Sequence, residues 1–313
     1  MESYVEQVLS RRKFIKAIGG GVLGISLAGC IASKTTKIAR PFSFGVVADV
    51  QYADYPAVGN RHYRQSEWKL KQCVEDFNSR DLDFVVQLGD FIDGGFANFD
   101  KMLDIYQRLK APKYHVLGNH DFAATREKVL AKLGMERGYY DFAVNGWRFI
   151  VLDGNEISLY ANGRGSDEYK QAGAMHQRLK EAGSANAAAY NGALSTRQKR
   201  WLEERLDRAV KAGEKVIVFC HFPVCPPNVH NLWGDSELVE LFESYDCVAA
   251  YMNGHNHAGN YAEKNGIHYI TFPGMVESPD RNAYAVVEVY PDRLKIVGFG
   301  AAAQRLLPIE NKK

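Results

Sequence analysis

The sequence predicts an α/β protein with two packed, mixed β-sheets flanked by helices. Apolar strands alternate with amphipathic helices through the first third of the chain, which argues for parallel pairing. Later Asn-Gly and Pro-Asp signals mark hairpins, which add antiparallel pairs. Five strands end on polar residues able to do chemistry, and in α/β sheets ligands bind beyond the carboxyl ends of the strands. At 46% hydrophobic, the 313 residues can bury a large core. About 270 of them past the N-terminal region fit one domain, residues 41–300, followed by a tail, 301–313.

The N-terminal region is set aside from the fold. "SRRKFIK" precedes a Gly-rich, mildly apolar run from Ala17 to Ala28. That run falls short of the about 20 apolar residues a bilayer span needs. It resembles a twin-arginine export signal, residues 1–29, which is an address rather than an anchor. "LAGC", Leu27 to Cys30, resembles a bacterial lipobox with Cys30 as the lipidated first residue of the mature chain. The expected protein is an exported, membrane-anchored envelope lipoprotein, tethered through polar residues 30–40. The chain holds 39 Lys and Arg against 37 Asp and Glu. Residues 1–29 hold four of the basic and two of the acidic residues, so the remainder carries 35 of each. Such a balance gives no basic footprint for a nucleic-acid partner. Beyond Cys30 remain Cys73, Cys220, Cys225 and Cys247, without a CxxC pair. Cys73 and Cys220 lie in apolar patterns and read as ordinary buried thiols.

Each element has its own signal. Phe42–Ala48 is an apolar strand. Ser66–Ser79 carries Leu70, Cys73, Val74 and Phe77 on one helical face. Phe84–Leu88 is a strand ending at "GD". Phe99–Leu109 has Phe99, Met102, Leu103 and Tyr106 at helical spacing, and Tyr114–Leu117 is a strand ending at "GNHD". "YYDFAVNGWRFIVLD" reads as a hairpin around Asn145-Gly146. Ser195–Ala212 is a helix with a Ser195/Gln198 capping box and Gly213 past its end. Lys215–Cys220 and Val248–Met252 are strands ending at His221 and at "GHNH". Two further hairpins centre on Asn265-Gly266 and Pro291-Asp292. Between Gly154 and Leu194 the sequence is polar and rich in Ala and Gly, and it reads as a long loop.

The strand tips carry Asp49 with Gln51, Asp90, Asn119 with His120, His221, and His255 with His257. Asp49 and Gln51 share a side because strand side chains alternate. A lone "GD" or a lone histidine at a strand end carries little information. All five in order, each after an apolar strand, define a site. The set is too large for one metal and suits two, with one carboxylate bridging.

"ADVQ", "LGDFIDGG", "LGNHD", "CHFP" and "NGHNH" resemble the calcineurin-like metallophosphoesterases, from about Phe42 to about Gly300. "ADVQYAD", "HYRQS", "NGALSTRQKRWL" and "GMVESPDRNAYAVVEVYPD" are most similar to the manganese-dependent ADP-ribose/CDP-alcohol diphosphatases. That resemblance implies a four-layer αββα sandwich holding two divalent metal ions, Mn first, with Mg, Fe or Zn as alternatives. It implies that Asp49, Gln51 and His257 hold one metal, that Asn119, His221 and His255 hold the other, and that Asp90 bridges. His120 would act as general acid or transition-state stabiliser beside the phosphate. Asp93 would orient His120, with Asp121 in support. The implied reaction is attack of a metal-activated hydroxide on a small phosphorylated substrate, a phosphoester or a nucleoside diphosphate-linked anhydride. Alternatives are a phosphomonoesterase or phosphodiesterase of broad specificity and a non-catalytic metal-binding lipoprotein. Arg64, Asn228 and His230 are candidates for further phosphate contacts. The subfamily carries Gln51 where most relatives have His. An amide oxygen is a neutral, hard ligand, so it tilts the first site from zinc toward manganese or magnesium. The loop "YPAVGNR" is shorter than its counterpart in that subfamily and lacks the aromatic that could stack there on a base.

Overall fold

The computed structural model describes residues 40–309. The export signal, Cys30 and nearly all of the tether lie outside the described residues. Among the described residues, no helix is long and apolar enough to cross a membrane.

The elements run β1 (Phe42–Val47), α1 (Ser66–Asn78), β2 (Phe84–Gln87), α2 (Asn98–Tyr106), β3 (Lys113–His115) and α3 (Arg126–Leu133). There follow β4 (Tyr140–Val144), β5 (Trp147–Val151), α4 (Asp167–Glu181), α5 (Thr196–Ala212), β6 (Lys215–Phe219), α6 (Asp235–Glu243) and β7 (Val248–Asn253). The chain ends with β8 (Asn260–Lys264), β9 (Ile267–Thr271), β10 (Ala283–Val289), β11 (Arg293–Gly300) and β12 (Arg305–Pro308). Two six-stranded sheets result, ordered β12-β11-β10-β1-β2-β3 and β4-β5-β6-β7-β9-β8. The first is antiparallel from β12 to β1 and parallel from β1 to β3; the second has parallel pairs at its centre and an antiparallel hairpin at each edge.

Alternation along the strands builds the layers. Phe44, Val46 and Ala48 point between the sheets, where Phe84, Phe149 and Phe219 meet them, while Val47 and Val85 point outward. The rings of Phe44 and Phe84 stack at 4.6 Å, and Phe149 meets Phe44 edge-on at 5.6 Å. Beneath the outer face of the first sheet lie Leu70, Phe77, Phe99 and Tyr106 of α1 and α2. Leu202 and Leu206 of α5 and Leu238 and Phe242 of α6 cover the second sheet. The expected helix–sheet–sheet–helix layering follows.

Two segments depart from the sequence reading. The segment read as a loop from Gly154 to Leu194 contains α4, capped by Ser166, whose side chain accepts the Tyr169 amide. Only Ala172 of α4 is buried, so apolar periodicity is weak there and the helix escapes detection. Residues 301–313 include β12, which pairs with β11 and extends the first sheet. Cys73, Cys220, Cys225 and Cys247 are all free thiols, the first two buried as expected.

Candidate metal centre

All five strand tips converge at one end of the sandwich. The turns that carry them are strained. Seven non-glycine residues among those described have positive φ, and four of them are Asp49 (50°), Gln51 (43°), Asp90 (53°) and His255 (65°). A left-handed conformation costs such residues roughly 1–3 kcal/mol each, and strain of this kind collects where side chains must be aimed. Hydrogen bonds tie these turns to one another: Gln51 N donates to Asp90 O and His255 N to Asp49 Oδ2 at 3.0 Å. Close approach also demands glycine beside the carboxylates. A Cβ on Gly118 would lie 2.1 Å from Asp90 Oδ1, and one on Gly254 would lie 2.5 Å from Asp49 Oδ2.

Two ligand groups emerge, and they share a carboxylate. Asp90, His221 and His255 bring ligand atoms within 4.8 Å of one another, and so do Asp49, Asp90 and His257. In the first group His221 Nε2 stands 3.1 Å from His255 Nδ1, 3.2 Å from Asn119 Oδ1 and 3.3 Å from Asp90 Oδ2. In the second, His257 Nε2 is 3.4 Å from Asp49 Oδ1, and Gln51 Nε2 donates to Asp90 Oδ2 at 2.9 Å.

The donor set fits metal ions on two counts. The first is an orphan: Gln51 Oε1 is buried without a hydrogen-bond partner. A buried amide oxygen left unpaired costs about 1–3 kcal/mol, and a cation removes that cost. The second is charge. Burial alone would lower His221, but the Asp90 and Asp49 carboxylates hold its pKa up at about 9. His257 is also raised to about 9, against burial, by Asp49 and by its hydrogen bonds to Asp49 and Glu277. The buried acids thus require positive charge, and divalent cations supply it in place of protons.

Neighbouring groups hold the ligands in place. His257 Nδ1 meets Glu277 Oε1 at 2.8 Å, a carboxylate–imidazole pair that leaves Nε2 for the centre. Lys69, fully buried, donates to the Met275, Glu277 and Ser278 carbonyls at 2.6–2.8 Å and so fixes the loop that carries Glu277. Asp121 accepts the amides of Gly118 at 2.8 Å, Asp90 at 3.1 Å and Phe91 at 2.8 Å, tying two ligand turns together. Burial, then the charge of Asp90, pushes Asp121 up to about 7. His120 keeps 27% of its side chain exposed, with Nδ1 3.3 Å from Asp93 Oδ1. Burial would lower its pKa; Asp90 and Asp93 raise it above the ordinary value.

The three expected phosphate contacts separate. His230 lies at the site, its ring 5.4 Å from His255, with a buried Nδ1 that has no partner. Asn228 caps its own turn by accepting the His230 amide at 2.7 Å. Arg64 does not join them: its side chain is 54% exposed and pairs with Asp54 at 2.8 Å. A cation near the centre is Arg61, whose backbone pairs with that of Glu277. Its charge opposes protonation of His120, His230 and His257 and favours ionised Glu277. The short loop does carry an aromatic, Tyr55, but its ring packs on Tyr63 at 4.6 Å and its hydroxyl bonds Asp93. A further aromatic borders the site without a signal in the sequence: Tyr190, 41% exposed, lies 5.8 Å from His230 and 5.5 Å from His255.

Two sheets back to back, with two metal-ligand groups joined by one carboxylate at their carboxyl ends, define a dinuclear metallohydrolase. The calcineurin-like phosphoesterase family model matches residues 42–259, and the chain belongs to that family. It is a metal-dependent hydrolase of phosphoric esters or anhydrides. The manganese-dependent ADP-ribose/CDP-alcohol diphosphatase of Homo sapiens is 29% identical, over 88% of this chain and 94% of its own length. The protein of that name from Arabidopsis thaliana is 31% identical, over 82% and 94%. A dimetal phosphatase from Danio rerio superposes with a TM-score of 0.79 at 26% identity, covering 86% of this chain and 99% of that one.

Proposed function

We propose that the protein hydrolyses the phosphoanhydride of a nucleoside diphosphate-linked compound at a dinuclear, manganese-preferring centre. The observation that carries this is the pair of ligand groups sharing Asp90. Asp49, Gln51 and His257 are proposed to hold one ion and Asn119, His221 and His255 the other, with Asp90 between. When bound, the ions supply Lewis acidity to the phosphoryl oxygens and acidify a water. Asp93 takes the Nδ1 side of His120, which leaves Nε2 to deliver a proton to the departing oxygen. Arg61 offers a guanidinium for the phosphate remote from the cleaved bond, and Tyr190 offers a planar face for a base.

The manganese-loaded protein is expected to turn over ADP-ribose. Arg61→Ala should lower kcat/KM on it about 10–100-fold, the loss of one charge-assisted contact worth about 1.5–3 kcal/mol. Arg64→Ala should leave it unchanged. Turnover of a bis-aryl phosphate without ADP-ribose would replace this reading by a phosphodiesterase of broad specificity.

Metal preference is proposed to rest on Gln51. Exchanging its amide oxygen for imidazole in Gln51→His should raise zinc affinity and erode the manganese preference. Metal content and activity after stripping and reloading with each ion test this. An unchanged preference would mean that Gln51 does not ligate.

We further propose that the protein is exported and lipid-anchored, on the strength of "SRRKFIK" and "LAGC". Arg11 and Arg12 both replaced by Lys should strand it in the cytoplasm, and Cys30→Ala should release it from membranes. Wild-type fractionation of both variants rules the lipoprotein out.

A further inference from the structure

The excursion between β5 and α5 returns to the centre at Asn191, whose side chain is fully buried. Its Nδ2 donates to the Asn186 carbonyl at 3.0 Å and the Val229 carbonyl at 2.8 Å. Both amide hydrogens are then committed. Only Oδ1 remains, and it lies 3.0 Å from His255 Nε2. An amide oxygen can only accept, so His255 carries its hydrogen on Nε2. The lone pair is left on Nδ1, the atom 3.1 Å from His221 Nε2. His221 is set in the same way, its Nδ1 lying 2.8 Å from the Leu88 carbonyl. Two imidazole lone pairs therefore face each other across the position of the ion. One is aimed by a strand-end carbonyl and the other by a side chain brought from 64 residues away.

We infer that Asn191 is a positioning residue for the ion held by Asn119, His221 and His255. It selects the His255 tautomer with Nδ1 free. It also joins that ligand to the rim of the site, because the Val229 carbonyl it grips lies beside His230 and the neighbouring Tyr190 faces the same ring. The inference rests on the dinuclear reading proposed above.

Two variants separate tautomer selection from simple bracing. Asn191→Leu removes acceptor and donors together. Asn191→Asp keeps the acceptor toward His255 and loses both donors to Asn186 and Val229. Metal-free protein is titrated with Mn²⁺ against a chelator, and thermal stability is followed in parallel. Both variants should lose stability. Only the leucine variant should weaken the ion held by Asn119, His221 and His255, by about 10–100-fold, the usual effect of removing a partner that orients a ligand. The ion at Asp49, Gln51 and His257 should bind as before. Equal loss of the ion in both variants, or wild-type binding in the leucine variant, overturns the inference. A wild-type protein that takes only one ion overturns the dinuclear reading and this inference with it. If the leucine variant does not fold, ¹⁵N spectra of histidine-labelled, zinc-loaded wild type decide: His255 must show Nε2–H with Nδ1 on the metal, and Nδ1–H overturns the assignment.

Discussion

Asp90→Ala is expected to empty both metal sites and abolish turnover. The carboxylate belongs to both ligand groups. It also accepts from Gln51 Nε2 at 2.9 Å and from the His120 amide at 2.8 Å, so it aims the Gln51 side chain and the His120 turn at once. It is fully buried, and burial would raise its pKa. The imidazoles of His221, His120 and His255 instead hold it well below the ordinary carboxylate range. An ionised group buried this deeply persists only while opposite charge surrounds it. The natural partners are two cations, so the alanine variant should bind neither at concentrations that saturate the wild type. Stability gives an independent reading. An ion at about 100 times its dissociation constant adds about 2.7 kcal/mol to the folded state. In a domain of this size that corresponds to roughly 5–10 °C in Tm. Wild type should show this gain on manganese addition and Asp90→Ala should show none. Two equivalents of metal in the variant would place the bridge elsewhere.

The ligand turns are legible in sequence because each follows an apolar run whose alternation is visible, as in Phe44, Val46 and Ala48 before Asp49. What surrounds the ligands is set by tertiary return and leaves no local trace. Glu277 meets His257 only because the chain after β9 folds back under Lys69, some 200 residues away in sequence (206 to Met275). Asn191 lies in "NGALSTRQKRWL", a stretch that the resemblance singles out without giving it a task. The different placement of Arg64 and Arg61 has a local cause. Residues Tyr63–Gln65 form a short 3-10 turn that swings Arg64 out to Asp54. Arg61, two residues before that turn, pairs through its backbone with Glu277, which holds it beside the metal ligands. A three-residue spacing cannot show which of two arginines faces inward when the turn between them is irregular. Tyr190 is hidden for a similar reason: the polar stretch before it shows no period, although α4 within it is well capped.

His120→Ala is expected to keep both metals and cut turnover about 10²–10⁴-fold, the usual worth of a positioned acid. Asn119 places an oxygen 3.2 Å from His221 Nε2, so the group of Asp90, His221 and His255 gains a further donor atom without His120. The His120 side chain is partly exposed and its Nδ1 faces Asp93, which leaves Nε2 for the substrate. The penalty should shrink for substrates with acidic leaving groups, which depart with little protonation. Asp93→Asn should show a milder form of the same defect. Asp93 also accepts the Gly94 amide at 2.6 Å, a bond that asparagine can retain through its oxygen. That oxygen is also the one that faces His120 Nδ1, so asparagine keeps the acceptor there and removes the negative charge. The cation loses its support and the pKa of His120 falls. An acid works only while protonated, so the descending limb of the rate profile at high pH should move to lower pH in Asp93→Asn, with metal content unchanged. A profile that does not move would leave Asp93 as a brace for its loop. Loss of metal from His120→Ala, with metal retained in Asp90→Ala, would reverse the division between ligand and acid. Full activity in all three variants would put the chemistry outside this centre.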